Sequence, residues 1–313
     1  MSEDSVLVTG GAGFIGRHVV ERLVDRGMAV HVLEAFTNTS PEVLASIKGD
    51  GSVTVHRVDL QQRDAVIDAV AQAQPSSCIH LAAIHFIPYC VANPSLTLAT
   101  NVLGTQHLID ALGSAGTVGR FVLASTADVY RPAPAPHAET DETAPDNVYG
   151  LSKLTCESLA AYAGKQGVFD PTVVRLFNAY GPGETNPHVL PEICRQLKES
   201  DVVRLGNLEP RRDYVFVRDL AEVLCELALE ADSPSLVNAG TGQSWRVDEV
   251  VGTMSKVLGR DITIEVDPAR VRRTDRPNLQ AETTRLQKAI PGACSTPFEV
   301  GLEALLEDEG LLA

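Results

Sequence analysis

The chain has 313 residues, a formal charge of −15 and 44% hydrophobic residues, a size that suits one large α/β domain or a large domain with a smaller lobe. Its apolar runs are too short to predict a membrane span, and without a Lys/Arg cluster to track a phosphate backbone no nucleic acid partner is expected. Six cysteines without a C-x-x-C pair, and no basic and apolar leader before Val6, fit a cytoplasmic protein with reduced thiols; eight dispersed histidines without ligand spacing predict no metal.

The order of signals is strand, glycine turn, helix, strand, repeated. It predicts α/β class, a doubly wound parallel sheet (Rossmann) with a smaller C-terminal substrate-binding lobe. Strands are expected at Val6–Val8, Ala29–Leu33, Val53–Arg57, Cys78–Leu81, Arg120–Ala124 and Thr172–Leu176, and helices at Phe14–Arg26, Asp64–Gln72, Ser95–Gly113 and Val148–Gln166. Residues 1–176 read as a dinucleotide-binding domain. After Asn178 the rhythm loosens into turn-rich segments, so 177–313 reads mainly as the substrate lobe, with a return to the first domain at about 212–242.

Gly10, Gly13 and Gly16 lie where the first strand turns into a helix. Gly10 permits the tight turn, Gly13 lets a pyrophosphate approach the backbone, and Gly16 lets the helix pack on the sheet, with the anion held at the helix N-terminus by Phe14 and Ile15. The second strand ends in Glu34, a carboxylate placed to accept hydrogen bonds from an adenosine ribose, although a solvated strand end would read the same. Ala35-Phe36-Thr37-Asn38 offers no cation for the extra phosphate of NADP, so NAD is the expected cofactor. Asp59 and Leu60 are placed to hold and cover the adenine. Leu81, Ala82 and Ala83 end the fourth strand as a backbone lying against a cofactor requires, while His80 reads equally as a packed core histidine.

Tyr149 and Lys153 share a helix face at i,i+4 spacing. The ammonium, together with the charge of an oxidised nicotinamide, is expected to depress the phenol pKa and make Tyr149 a usable base. The run Ser125-Thr126-Ala127-Asp128-Val129-Tyr130 sits at the carboxyl end of a strand, where open α/β sheets bind ligands.

The motifs TGGAGFIG at Thr9, HLAA at His80, NVLGT at Asn101, STADVY at Ser125, YGLSK at Tyr149, VRLFNAYGPGE at Val174, RRDYVFVRD at Arg211, NAGTG at Asn238 and RRTD at Arg272 span nearly the whole chain. Together they resemble the extended short-chain dehydrogenase/reductase family, in its NAD-dependent nucleotide-sugar epimerase/dehydratase branch. The resemblance implies that Tyr149 is the catalytic base, that Lys153 tunes it and binds the nicotinamide ribose, and that Thr126 hydrogen-bonds the reacting sugar oxygen. It implies a transient 4-keto sugar, sets Asn101 on the cofactor side, and assigns Asn178, Arg212, Arg272 and Asp275 to the nucleotide diphosphate end, with a UDP-sugar favoured. It also implies a homodimer through Ser95–Gly113 and Val148–Gln166. For Arg211 and Arg273, solvation competes with ligand contact.

Asp128 departs most from the family pattern. Epimerases carry a small or hydroxyl residue there, and dehydratases a Glu base. Asp is one methylene shorter and Ala127 has no proton to give a leaving hydroxyl, so 4-epimerase leads over a 4,6- or 5,6-dehydratase that uses Asp128 as base; Asp128 as a hydrogen-bonded loop carboxylate is the plainer reading. Arg131 replaces a common Gly. His85 reads either as a sugar contact or as packing, and His188 as a residue of the sugar or uridine side. A non-catalytic NAD(H) sensor has no need of Thr126, Tyr149 and Lys153 together.

Overall fold

The computed structural model describes residues 5–271 and 276–312. Strands β1 (Ser5–Thr9), β2 (Ala29–Glu34), β3 (Ser52–Arg57), β4 (Ser77–His80), β5 (Arg120–Thr126) and β6 (Asp170–Leu176) appear in chain order, followed by β7 (Asn178–Tyr180), β8 (Tyr214–Phe216) and β9 (Leu236–Ala239). Seven of them form one parallel sheet in the order β9-β6-β5-β4-β1-β2-β3. The strand order reverses between β1 and β4, and ligands of such sheets bind at the carboxyl ends there.

The helices covering the sheet are α1 (Phe14–Asp25), α2 (Arg63–Ala73), α3 (Gly104–Ala115), α4 (Val148–Lys165) and α5 (Val217–Leu229). Alternation within the strands splits the core by face. Val6, Val8, Val30 and Val32 pack with Val19 and Leu23 of α1 and Leu220 and Leu224 of α5. Leu7, Leu33 and Phe121 pack on the other side with Val66 of α2, Leu108 of α3 and Cys156 and Ala160 of α4. Because both faces are covered, β1 is buried along its length. A third core joins Tyr180, Ile193, Tyr214, Met254, Phe298 and Leu302 in the C-terminal lobe.

The helix expected at Ser95–Gly113 is broken into Pro94–Leu98, a π-helical turn at Ala99–Leu103 and α3. At this turn the Asn101 amide points inward to Ile84, and Thr105 Oγ1 donates to the Asn101 carbonyl at 2.5 Å. The expected strand at Cys78–Leu81 ends one residue earlier, since Leu81 leaves the sheet with the loop that follows.

Candidate active site

The carboxyl ends of β1 and β4 are pressed together. The Thr9 hydroxyl accepts from Ala82 N at 3.2 Å and lies 2.6 Å from His80 Nδ1. Gly10 follows at φ +71°, and a Cβ there would sit 2.8 Å from Ala82 N. A Cβ on Gly16 would fall 2.1 Å from Gly10 O, so α1 packs on the turn only because both residues are glycine. With Gly13 as the N-cap of α1, the first-turn N–H groups of Phe14, Ile15 and Gly16 have no acceptor in their own helix, and they fit an anionic pyrophosphate.

Glu34 faces the same turn. Its carboxylate accepts from Ala12 N at 3.1 Å and from Phe36 N at 3.3 Å, with Phe36 held at φ +54°. Two carboxylate oxygens offer about four acceptor sites, so these bonds leave room for ribose hydroxyls. On the neighbouring strand end Asp59 accepts from Gln61 N at 2.9 Å, and Leu60 is buried with its carbonyl bonded to His107.

Asn101 is buried, and its Oδ1 accepts from Ile84 N at 2.8 Å while its Nδ2 donates to Ile84 O and to Ser152 Oγ, each at 2.9 Å. Its side chain therefore ties the loop after Ala83 to α4 rather than reaching outward. His80 is held at both ring nitrogens, by Thr9 and by Thr105 Oγ1 at 2.8 Å. Burial, with Lys153 adding to it, lowers the His80 pKa to about 3, so it is a neutral core histidine.

The first turn of α4 is placed by two features. Asn147 caps it, its Oδ1 accepting from Gly150 N at 2.9 Å. A Cβ on Gly150 would lie 2.7 Å from Asp128 O, so α4 touches the turn after β5 directly. That contact brings the Tyr149 phenol close to the Thr126 hydroxyl, which accepts from Asp128 N at 3.2 Å. Lys153, one helical turn on, is buried; burial lowers its pKa, opposed by Cys156 and Glu157.

The expected depression of the Tyr149 pKa is not what the chain alone produces. Burial raises it, Asp128 raises it further, and the Thr126 hydroxyl only partly offsets them. Asp128 itself is raised by burial against the pull of Arg276. Arg276 Nε lies 3.5 Å from Asp128 Oδ1, Nη2 donates to Asp128 O at 3.0 Å and to Asp146 at 2.9 Å, and Nη1 donates to Tyr130 O at 3.0 Å. Arg131 points away, its guanidinium doubly bonded to Glu142 at the surface.

His85 is exposed, and its Nε2 lies 3.1 Å from Asn186 Nδ2. The His188 ring lies 6.4 Å from that of His85, and its Nδ1 is 3.5 Å from the buried Glu184 carboxylate. Asn178 Oδ1 is buried with no hydrogen-bond partner among the described residues. Arg212 Nη1 donates to the carbonyls of Arg211 and Arg276, each at 2.9 Å. Arg211 is bound within the lobe by Ser244 and Glu249. Arg272, Arg273 and Asp275 lie outside the described residues.

Sequence reasoning missed Arg276, whose role depends on a chain reversal that brings it to Asp128 from 148 positions away. It also missed Asn186, which joins two loops. Among the described residues no group of three or more metal-ligating side chains is present, and no helix is long and apolar enough to cross a membrane.

Comparison with known proteins agrees with this geometry. The model of the NAD dependent epimerase/dehydratase family matches residues 6–240. GDP-6-deoxy-D-mannose reductase of Pseudomonas aeruginosa is 28% identical, over 97% of this chain and 96% of its own. The crystal structure of Thermus thermophilus UDP-glucose 4-epimerase complexed with NAD superposes with a TM-score of 0.86 at 29% identity, covering 98% of this chain and 99% of that one. The NAD dependent NDP-hexosamine 5,6-dehydratase TunA gives 0.83 at 27%, covering 99% of each. The cofactor cradle, the Thr126, Tyr149 and Lys153 cluster and the matched length leave one conclusion: the chain belongs to the NAD dependent epimerase/dehydratase family.

Proposed function

We propose that the chain is an NAD-dependent nucleotide-sugar 4-epimerase, acting on a UDP-sugar through a transient 4-keto intermediate and working as a homodimer. The observation that carries this reading is the placement of the Tyr149 phenol against the Thr126 hydroxyl at the carboxyl end of β5, with Lys153 one turn on. Bound NAD supplies the hydride acceptor and donor. Tyr149 takes the proton of the sugar 4-hydroxyl and returns it after inversion, and Thr126 bonds the same oxygen. Lys153 binds the nicotinamide ribose and contributes positive charge against the burial that raises the phenol. Asn178 and Arg212, with Arg272 and Asp275, hold the nucleotide diphosphate end.

The ion pair with Arg276 supports epimerase over dehydratase, because it occupies the carboxylate that would have to remove a proton beside the ketone. One observation favours the second reading: burial raises the Asp128 carboxyl, as a base working near neutral pH requires, and Asp128 lies close enough to Tyr149 to act on its charge. The test is to release NAD by denaturation, then incubate the native protein with UDP-, dTDP- and GDP-sugars and follow products by mass and NMR. A new stereoisomer at unchanged mass is the expected result. Loss of one water assigns a dehydratase, stoichiometric NADH consumption with a 4-keto sugar assigns a reductase, and no turnover across the panel overturns the catalytic reading.

A further inference from the structure

Beneath Thr126 and Lys153 lies a buried ionic network that none of the assigned roles uses. Glu157, one turn after Lys153 on α4, is nine-tenths buried and fully engaged. Its Oε1 accepts from Ser125 Oγ at 2.5 Å and from Arg175 Nε at 3.0 Å, and its Oε2 from Arg175 Nη2 at 2.8 Å. The Arg175 guanidinium lies 4.6 Å from the centre of the Tyr130 ring. The Tyr130 hydroxyl donates to Asn238 Oδ1 at 2.6 Å, and Asn238 Nδ2 donates to His137 O at 2.8 Å. Three motif residues with no part in the proposed chemistry, Tyr130, Arg175 and Asn238, are thus joined to the helix that carries Tyr149 and Lys153.

We propose that Glu157 is a positioning residue for the catalytic cluster: through Ser125 it fixes β5, and with it Thr126, against α4, and its carboxylate holds the charge on the Lys153 ammonium one turn away. The geometry supports both halves. Ser125 precedes Thr126, so a bond from Ser125 Oγ to α4 locks the strand end at the point where Thr126 meets Tyr149. Lys153 is buried, and a buried ammonium keeps its proton only with an opposite charge at hand. Glu157 acts in that direction on Lys153. Arg175 in turn pairs with Glu157 at 2.8 Å, compensating the buried charge.

The proposal rests on the reading that Lys153 binds the cofactor, and its test separates the two. Glu157→Gln removes the charge while keeping an acceptor for Ser125 and Arg175, and Ser125→Ala removes the tether while keeping the charge. NAD binding is titrated against pH by quenching of tryptophan fluorescence, with thermal unfolding as the control for folding. Removing an opposite charge lowers the pKa of a Lys. Glu157→Gln is therefore expected to bind NAD at pH 7 but to lose affinity at a pH lower by about one unit than the parent. Ser125→Ala is expected to keep the parental binding profile and to lose turnover of an accepted UDP-sugar by about tenfold in kcat with KM little changed.

A folded Glu157→Gln variant whose NAD titration overlays that of the parent overturns the electrostatic half. Parental kcat in Ser125→Ala overturns the tether. If Lys153→Met binds NAD with the affinity and pH profile of the parent, the underlying cofactor reading fails instead, and that outcome is recognisable without either variant.

Discussion

The Arg276 guanidinium grips the turn after β5 from the far end of the chain, pairing with the Asp128 carboxylate at 3.5 Å and donating to the Asp128 carbonyl at 3.0 Å. Asp128 is thereby a structural partner as well as a candidate base, and the two roles predict different mutants. In an epimerase, Asp128→Asn keeps turnover within about tenfold of the parent, because Tyr149 and Thr126 are untouched. A loss beyond about a thousandfold in kcat, at parental NAD content, would assign the proton-abstraction step to Asp128. Arg276→Met is expected to cost about 3 kcal/mol in urea unfolding, since it strands the partly buried Asp128 carboxylate and two carbonyls.

Glu34 receives the amide hydrogens of Ala12 and Phe36, so it shapes the glycine turn before any cofactor arrives. Removing it deletes a charged acceptor, a loss of about 1.5–3 kcal/mol for a hydrogen bond to a charged group. Glu34→Ala is expected to weaken NAD binding by about tenfold to a hundredfold in calorimetric titration. NADP binding is expected to weaken less, because the same carboxylate repels the extra phosphate. Equal losses for both dinucleotides would sink the assignment of Glu34 as the ribose-facing group.

The strand-turn-helix frame of this site was readable because it depends on local chemistry. Three glycines after an apolar strand force one backbone path, and Tyr149 and Lys153 need only helical spacing to share a face. What escaped the sequence depends on partners distant along the chain. Nothing near Asp128 announces Arg276, and nothing near His85 announces Asn186. The broken helix at Ala99–Leu103 shows the same limit, since apolar periodicity runs through it while the Asn101 amide turns inward to Ile84. The Tyr149 pKa is a case where pair spacing misled: Lys153 is near in sequence, but burial and Asp128 prevail.

Gly150 gives the sharpest test of how Tyr149 is positioned. Its added Cβ would lie 2.7 Å from Asp128 O and 2.9 Å from the Pro145 side chain, while the helix itself would tolerate alanine. Gly150→Ala is therefore expected to fold, since α4 can shift outward, and to separate Tyr149 from Thr126. A shift of about 1 Å at a reacting group costs on the order of a hundredfold in kcat. Full activity in this variant would show that the close approach of α4 to the turn is dispensable.

Acid should destabilise the fold through buried neutral histidines. His80 has a folded-state pKa of about 3 against 6.5 unfolded, with burial the main cause, and burial also lowers His18 and His137. A base whose folded pKa is depressed contributes stability that is fully present above its unfolded pKa and is lost as pH falls toward the folded one. Between about pH 6.5 and 3, His80 alone contributes a slope of up to about 1.4 kcal/mol per pH unit. Urea unfolding at pH 7, 6 and 5 should show falling stability, and His80→Gln, though less stable at pH 7, should show a slope smaller by one proton. An unchanged slope would mean that His80 is not the group taking up that proton.

The back of the catalytic helix carries the last prediction. Leu151 on α4 and Leu103 on the π-helical turn are each 50% exposed, and with Leu98, Val102 and Leu159 they line one open apolar depression. Tyr162, further along α4, is 65% exposed. Scattered apolar residues on a surface need no explanation, but a contiguous patch formed by two adjacent helices is the surface expected to pair if the chain dimerises. Covering the exposed half of each leucine is worth about 1 kcal/mol, and a face-to-face pair would cover both leucines of both copies. In sedimentation equilibrium at micromolar concentration the protein is expected at twice the 33.5 kDa of one chain. Leu103→Asp/Leu151→Asp should sediment as a single chain while keeping its NAD, because neither side chain approaches the glycine turn. A parent that sediments at the single-chain mass, or a double variant that still pairs, would place the partner surface elsewhere.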